Sequence, residues 1–273
     1  MVSNSVLIVY AVEASGMATF ARRVVEQNGY SGVIEVINSR VEAAEIPEKV
    51  DVIISEWMGT LLIFEAMIES VLWARDRYLK PGGFMFPATA QIFFCPVTAQ
   101  KVRADNFDFW DNAQGFDMTP LREEAERLLC AKPKHDHVIA PGELLAAPFT
   151  FVDWDMSTLR PEDFEELVRD VDFEITQDGD MAGFAFWFDV DFKAGDPVKR
   201  VVLSTGPDAP VTHWKQGLLM FKETIALSRG DRLVGSIAVR RNKIWRRHYN
   251  ITVTLAPSEK IPKEIKRLFL LWR

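Results

Sequence analysis

Two hydrophobic rhythms divide this chain. Over the first third, unbroken apolar runs alternate with stretches of helical spacing. Val6–Val12 (VLIVYAV) is continuous and rich in β-branched residues, as a strand buried on both faces of a parallel sheet requires. Ser15 then caps a helix whose apolar face carries Met17, Phe20, Ala21, Val24 and Val25, and Gly29 ends it. Val33–Ile37 and Val50–Ile54 read as a second and a third strand. Phe64, Met67, Ile68, Val71 and Leu72 mark a longer helix, which Pro81-Gly82-Gly83 stops. Strand–helix alternation of this kind predicts an open α/β sheet.

From about Pro87 the period falls to two. Phe184, Phe186, Phe188, Val190 and Phe192 alternate with their neighbours, as do Tyr249, Ile251, Val253 and Leu255 against Asn250, Thr252 and Thr254. Such runs, separated by turn residues, predict an antiparallel sandwich or barrel. Between the halves, about 106–141 reads as helical and irregular with few strand signals. The expected organisation is an α/β domain over 1–86 and an antiparallel sandwich or barrel over 87–273, with an arm inserted at about 106–141.

Composition narrows the function classes. With 48% of its residues apolar, the chain of 273 residues can build a substantial core. A formal charge of −7 argues against direct nucleic-acid binding and suits basic partners instead. The two cysteines, Cys95 and Cys130, supply neither a disulfide framework nor metal-ligand spacing, which points to a reducing compartment, cytoplasm or nucleus. Val6–Val12 has no basic residue before it and runs directly into Glu13, so it reads as a buried strand, not the core of a signal peptide. No apolar stretch approaches the ~20 residues of a membrane span.

Ligands of open α/β sheets sit beyond the carboxyl ends of the strands, and three acids fall there. Glu13 ends the first strand, Glu42 follows the second, and Glu56 follows the third. An ionised Glu13 can accept both hydroxyls of a ribose; its alternative reading is a solvated strand-end acid. The segment SEWMGTLLIFE (55–65) places Glu56 in a strand-to-helix loop and Glu65 near the next helix, with Trp57, Met58 and Phe64 around them. Two converging carboxylates repel unless a cation lies between them, and a planar guanidinium with five donors suits both at once. The competing reading makes Glu65 a charge at a helix N-terminus. Thr212-His213-Trp214 opens a strand of the second domain, where His213 could face the cleft between domains, although a lone histidine is more often a structural hydrogen-bonder. Arg240, Arg241, Lys243, Arg246 and Arg247, with Trp245 among them, form a local basic surface whose plain reading is a solvated hairpin loop.

SEWMG (55–59), the FE that follows (64–65) and THW (212–214) together resemble the protein arginine methyltransferases, and the resemblance runs from VYAVEAS (9–15) to the end. DNFDFWDNAQGFDM (105–118) resembles the start of that family's dimerisation arm. RNKIWRRH (241–248) is similar in particular to the member that carries an SH3 domain in animals. The resemblance implies a partial Rossmann-like methyltransferase domain followed by the barrel, and S-adenosylmethionine as cofactor. It implies that Glu56 and Glu65 grip the substrate guanidinium, with Trp57 and Met58 in the same pocket. Glu13 would bind the cofactor ribose, and Glu42, with Val41 beside it, the adenine amino group. Thr212, His213 and Trp214 would close the substrate pocket, His213 as a candidate proton acceptor. Arginine-containing proteins such as histones are the implied substrates, and a homodimer the implied assembly. An interaction module without catalysis is the alternative of a different class. Residues 1–12 hold no turn of the family's form VLDxGxGTG, whose strand lies between those matching Val6–Val12 and Val50–Ile54. These two strands are therefore expected to remain unpaired with each other, and these residues alone to bind the cofactor weakly.

Overall fold

The computed structural model describes residues 7–193 and 200–271. They fall into two compact units, one from Met1–Ile54 with Glu69–Met85 and one from Ser55–Ile68 with Phe86–Arg273. The loop that carries the paired glutamates thus packs with the second unit.

In the first unit, β1 (Val9–Val12) and β2 (Ile34–Ile37) pair in parallel, Val12 opposite Ile37, and α1 (Met17–Gln27) joins them. Val6, the expected first residue of β1, lies outside the described residues. Burial of β1 on both faces is not found: Val9 is 39% exposed, because the sheet has two strands and covers little of either face. The same narrowness corrects the expected face of α1. Ala18 is buried and Ala21 and Val25 half-buried, whereas Met17, Phe20 and Val24 are exposed. Ser15 does serve the helix start, its hydroxyl accepting the Met17 N–H at 3.1 Å, although Gly16 occupies the cap position.

β3 (Val50–Ile54) pairs with β4 (Leu79–Phe86), a ladder separate from β1–β2. β1 and β3 are therefore unpaired with each other, as expected, and the single open sheet is replaced by two short ladders. The helix before β4, α2 (Met67–Tyr78), starts later than the spacing of Phe64 suggested and ends before Pro81. Pro81-Gly82-Gly83 do not stop it; they lie inside β4, a strand with one partner that leaves room for a proline.

The second unit is antiparallel. One sheet has the order β6 (Lys134–His137), β11 (Gln216–Leu227), β9 (Gly179–Asp191), β5 (Thr89–Val97), β7 (Phe149–Asp155), with β10 (Val202–Ser204) also on β9. The other has the order β14 (Ile265–Leu271), β13 (Tyr249–Leu255), β12 (Arg232–Arg241), β8 (Glu166–Glu174). These sheets share no ladder, so the barrel is open among the described residues. An isolated bridge between Ala146 and Ile175 joins the lead-in of β7 to the end of β8. β13 alternates as the sequence demands, with Tyr249, Ile251, Val253 and Leu255 all buried. β9 does not: Ala182, Ala185 and Trp187 are buried as well, so both of its faces are covered.

Aromatic rings tie the two sheets. Phe149 of β7 meets Phe173 of β8, Phe173 meets Phe184 of β9, Phe184 meets Phe221 of β11, and Phe221 meets Phe269 of β14, with centroids 5.8–6.4 Å apart. Phe184 is fully buried at the middle of this chain. Phe184→Ala is expected to lower the unfolding free energy by ~3–5 kcal/mol, through lost burial and the cavity left behind. Denaturant unfolding checks this, and a loss under ~1 kcal/mol would mean that the rings do not hold the sheets.

The expected arm, 106–141, follows α3 (Gln100–Asn106) and runs through short 3₁₀ turns at Asp108–Asp111 and Thr119–Leu121 into α4 (Arg122–Leu129). Arg122 fastens these pieces, donating to Asp111 at 2.7 Å, Glu126 at 3.0 Å and Asp108 at 3.3 Å. Its last part departs from the helical and irregular reading. Lys134–His137 (KHDH) is β6, an edge strand on β11. No hydrophobic alternation marks it, as suits a polar strand at a sheet edge. No helix among the described residues is long and apolar enough to cross a membrane.

Candidate active site

The loop 55–66 is built around a chain reversal that only glycine permits. Gly59 and Leu62 form an isolated antiparallel bridge, with the Gly59 N–H donating to the Leu62 carbonyl at 3.0 Å. A Cβ at Gly59 would lie 2.0 Å from the Phe64 carbonyl oxygen. Leu61, Leu62, Glu65 and Ala66 all have left-handed backbones, φ 55–78°, a conformation that L side chains rarely adopt. Concentrated strain of this sort persists where the surroundings over-determine it, and it clusters at working sites. Here a buried apolar set, Trp57, Met58, Leu61, Leu62, Ile63 and Phe64, supplies the constraint.

Glu56 and Glu65 stand at matching positions on either side of this reversal, each three residues out from the Gly59–Leu62 bridge. Glu56 Oε1 accepts the Met58 N–H at 3.0 Å, which orients its carboxylate. Glu65 is held from the far side of the sequence. Its N–H donates to the Arg247 carbonyl at 3.2 Å, and its own carbonyl accepts from Arg247 Nε at 3.1 Å. Phe64 stacks on His248 with centroids 6.1 Å apart. Helix α2 begins at Met67, so Glu65 precedes it by two residues, with Ala66 between.

Thr212, His213 and Trp214 lie in a turn before β11 and not within it, since Lys215 has φ 50° and donates its N–H to the Thr212 carbonyl. Trp214 Nε1 donates to the Met58 carbonyl at 2.8 Å, which joins this turn to the glutamate loop. The Trp214 ring meets Phe188 edge-on and lies 3.7 Å from the His213 ring. His213 itself is exposed. Two buried polar atoms in these segments, Trp57 Nε1 and Thr212 Oγ1, have no hydrogen-bond partner among the described residues. Buried groups of this kind are usually satisfied by water or a ligand.

Glu13, Val41 and Glu42 belong to the first unit, and there they lie at the carboxyl ends of paired parallel strands. Glu13 follows β1, and Val41–Ala43 is a 3₁₀ turn shortly after β2. Glu13 Oε1 accepts the Ser15 N–H at 2.6 Å; that bond, with further ones from the Ser15 hydroxyl and the Ala14 N–H, holds its carboxyl below the usual glutamate range. Asn38 crosses between the two strand ends, donating to the carbonyls of Glu13 and Ser15 at 2.9 and 3.1 Å. Glu42 accepts the Ser70 hydroxyl at 2.5 Å. Sequence reading found the acids but not Asn38, Ser70, Arg247 or His248. RNKIWRRH was visible as a basic cluster, yet its contact with Glu65 spans most of the chain and has no local signature.

The arginine methyltransferase oligomerization subdomain matches residues 88–260. The chain belongs to the protein arginine methyltransferase family. It is 41% identical to protein arginine N-methyltransferase 2 of Homo sapiens over 272 residues, covering 97% of this chain and 62% of that protein. It is 37% identical to protein arginine N-methyltransferase 6 of Xenopus laevis, over 95% of this chain and 72% of that one. A solved Trypanosoma brucei PRMT1 enzyme–prozyme heterotetrameric complex with AdoHcy superposes with a TM-score of 0.85 at 28% identity, covering 97% of this chain and 82% of that one. The chain thus spans 52–62% of the length of the protein arginine N-methyltransferase 2 relatives it matches.

Proposed function

We propose that this chain supplies the arginine-gripping and nucleoside-binding parts of an S-adenosylmethionine-dependent protein-arginine N-methyltransferase. The observation that carries this reading is the loop 55–66, where two glutamates flank a glycine-only reversal fixed by Arg247 on one side and Trp214 on the other. Glu56 and Glu65 hold two nitrogens of a substrate guanidinium through charge-assisted bonds and draw its positive charge toward them. The third nitrogen is left richer in electrons and better able to attack. Trp57 and Met58 wall the pocket, Thr212 and Trp214 close it, and His213 accepts the proton released from the nitrogen.

S-adenosylmethionine, when bound, supplies an electrophilic methyl group. In this reading the first unit holds its nucleoside end: Glu13, whose carboxylate is oriented by the Ser15 N–H, would take the ribose hydroxyls, and Glu42, in the same 3₁₀ turn as Val41, would take the adenine amino group. Arginine-containing proteins, histones among them, are the substrates in this reading. The match to an oligomerization subdomain supports a homodimer through the arm at 106–141. Two free cysteines support a reducing compartment, cytoplasm or nucleus.

Two preparations test the reading: a polypeptide of these 273 residues, and a chimera in which a family segment carrying the VLDxGxGTG strand and turn is joined ahead of Met1. The first is expected to bind S-adenosylmethionine more weakly than micromolar in a calorimetric titration, because residues 1–12 carry no turn of the form VLDxGxGTG to offer its amides to the cofactor's amino-acid end. The second should bind it and methylate an arginine peptide but not its lysine counterpart. Tight binding by the first would sink the assignment of the weak end, and a chimera that binds cofactor yet leaves arginine untouched would sink the function.

A further inference from the structure

The tip of the β12–β13 hairpin grips Glu65 on one side and is open on the other. Arg247 makes the grip, with one bond in each direction to the Glu65 backbone, and His248 adds the ring contact with Phe64. Asn242 fixes the tip from within, its side-chain oxygen accepting the N–H groups of Ile244 and Trp245, both at 2.9 Å. What this leaves outside is unusual for a hairpin end. Ile244 is 81% exposed and Trp245 65%, with Lys243 and Arg247 exposed beside them. The turn needs neither large apolar side chain for its shape. Tryptophan and arginine are the residue types that dominate binding hot spots. In a chain of formal charge −7, cations gathered beside the arginine-gripping loop form a local field of opposite sign.

We propose that this tip docks the part of the substrate protein next to the target arginine and selects segments with acidic side chains a few residues away. The proposal rests on Glu65 being half of the arginine clamp. Trp245 and Lys243 are two and four residues from Arg247, so they lie within ~7 and ~14 Å of its contact with Glu65. An extended peptide advances ~3.4 Å per residue, which brings its side chains two to four positions from the arginine level with the tip. An aspartate or glutamate there meets Lys243 and Arg247, while an apolar neighbour covers Trp245 and Ile244. Arg246 contributes less, because it is engaged by Glu165 at 2.6 Å, a carboxylate it shares with Arg241. A nucleic-acid backbone offers similar charges, but the surrounding acidic surface repels a long polyanion more than a short acidic segment.

Fluorescence anisotropy with the 273-residue chain separates these outcomes. Three labelled peptides are compared: arginine with acidic flanks, arginine with lysine flanks, and the acidic-flank sequence with glutamine in place of arginine. The acidic-flank arginine peptide is expected to bind about fivefold more tightly than the lysine-flank one at low salt, with the difference shrinking as salt rises. In Lys243→Glu and in Trp245→Ala the difference should fall within about twofold. The melting temperature should be unchanged for Lys243→Glu, whose side chain is exposed, and little changed for Trp245→Ala, which loses a ring contact with His248 at 6.4 Å between centroids but is 65% exposed. The glutamine peptide reads the clamp alone: if it binds as well as the arginine peptide, the clamp reading fails, while the flank preference is still measured. No preference, or one that survives both substitutions, overturns the proposal. An oligouridylate that binds more tightly than any peptide and is released by Lys243→Glu overturns it as well.

Discussion

Replacing Glu56 or Glu65 with glutamine is expected to slow methyl transfer to an arginine peptide by roughly 30- to 1,000-fold in the chimera. Glutamine keeps the shape and removes the charge, so the guanidinium is held less firmly and its attacking nitrogen is less activated. Losing one charge-assisted contact in a water-poor pocket raises the barrier by ~2–4 kcal/mol. Because both carboxylates hold one planar group, the double substitution should cost far less than the sum of the singles. The reading of Glu65 as a charge at the start of α2 predicts otherwise: a stability loss of ~0.5–1 kcal/mol with near-normal turnover. The backbone already weakens that alternative, since Glu65 sits two residues outside the helix in a left-handed conformation. Turnover measured beside thermal melts decides it. A Glu65→Gln enzyme that melts early but works normally refutes the clamp.

How much of this was legible beforehand depended on whether the cause was local. β13 was readable because each of its residues reports its own face, apolar inward and polar outward. α1 was readable as a helix, yet its buried side was misjudged, because the stripe Met17–Phe20–Val24 is more apolar than the alanines that actually meet the sheet. Pro81-Gly82-Gly83 looked like a helix stop because these residues are poor in strands generally, and an edge position such as β4 is the exception. β6 was invisible, since KHDH gains its strand conformation only by pairing with β11. The site divides in the same way. SEWMG and THW carried the right residues in the right order, but the bond from Trp214 to Met58 joins positions 156 apart, and that from Arg247 to Glu65 positions 182 apart. Such contacts are products of the whole fold and leave no trace in a local window.

Gly59→Ala is expected to abolish most activity while leaving the second unit folded. The obstacle is space and not backbone preference, since Gly59 is not among the residues of positive φ. The added Cβ would meet the Phe64 carbonyl oxygen at 2.0 Å and the Phe64 carbonyl carbon at 3.0 Å. Both are backbone atoms, so no side-chain rotation relieves the clash, and the Phe64 peptide must retreat by more than 1 Å to reach ordinary contact. That peptide is bonded directly to Glu65, whose own N–H and carbonyl are tied to Arg247. The retreat therefore either drags Glu65 away from its place opposite Glu56 or breaks the ties to the hairpin. Displacing a positioned group by ~1 Å costs about 100-fold in rate, and overpacking of this kind costs ~1–3 kcal/mol in stability. The second unit should survive, because its sheets and aromatic chain lie elsewhere in the sequence. Gly142→Ala is the control: a Cβ there meets nothing within 4 Å, φ is not positive, and the change should stay within ~0.5 kcal/mol with full turnover. Circular dichroism melts and methyl-transfer rates on both variants make the comparison. If Gly59→Ala retains the rate of the Gly142→Ala control, the tight reversal is not what places the two glutamates, and the loop geometry is not the basis of the site.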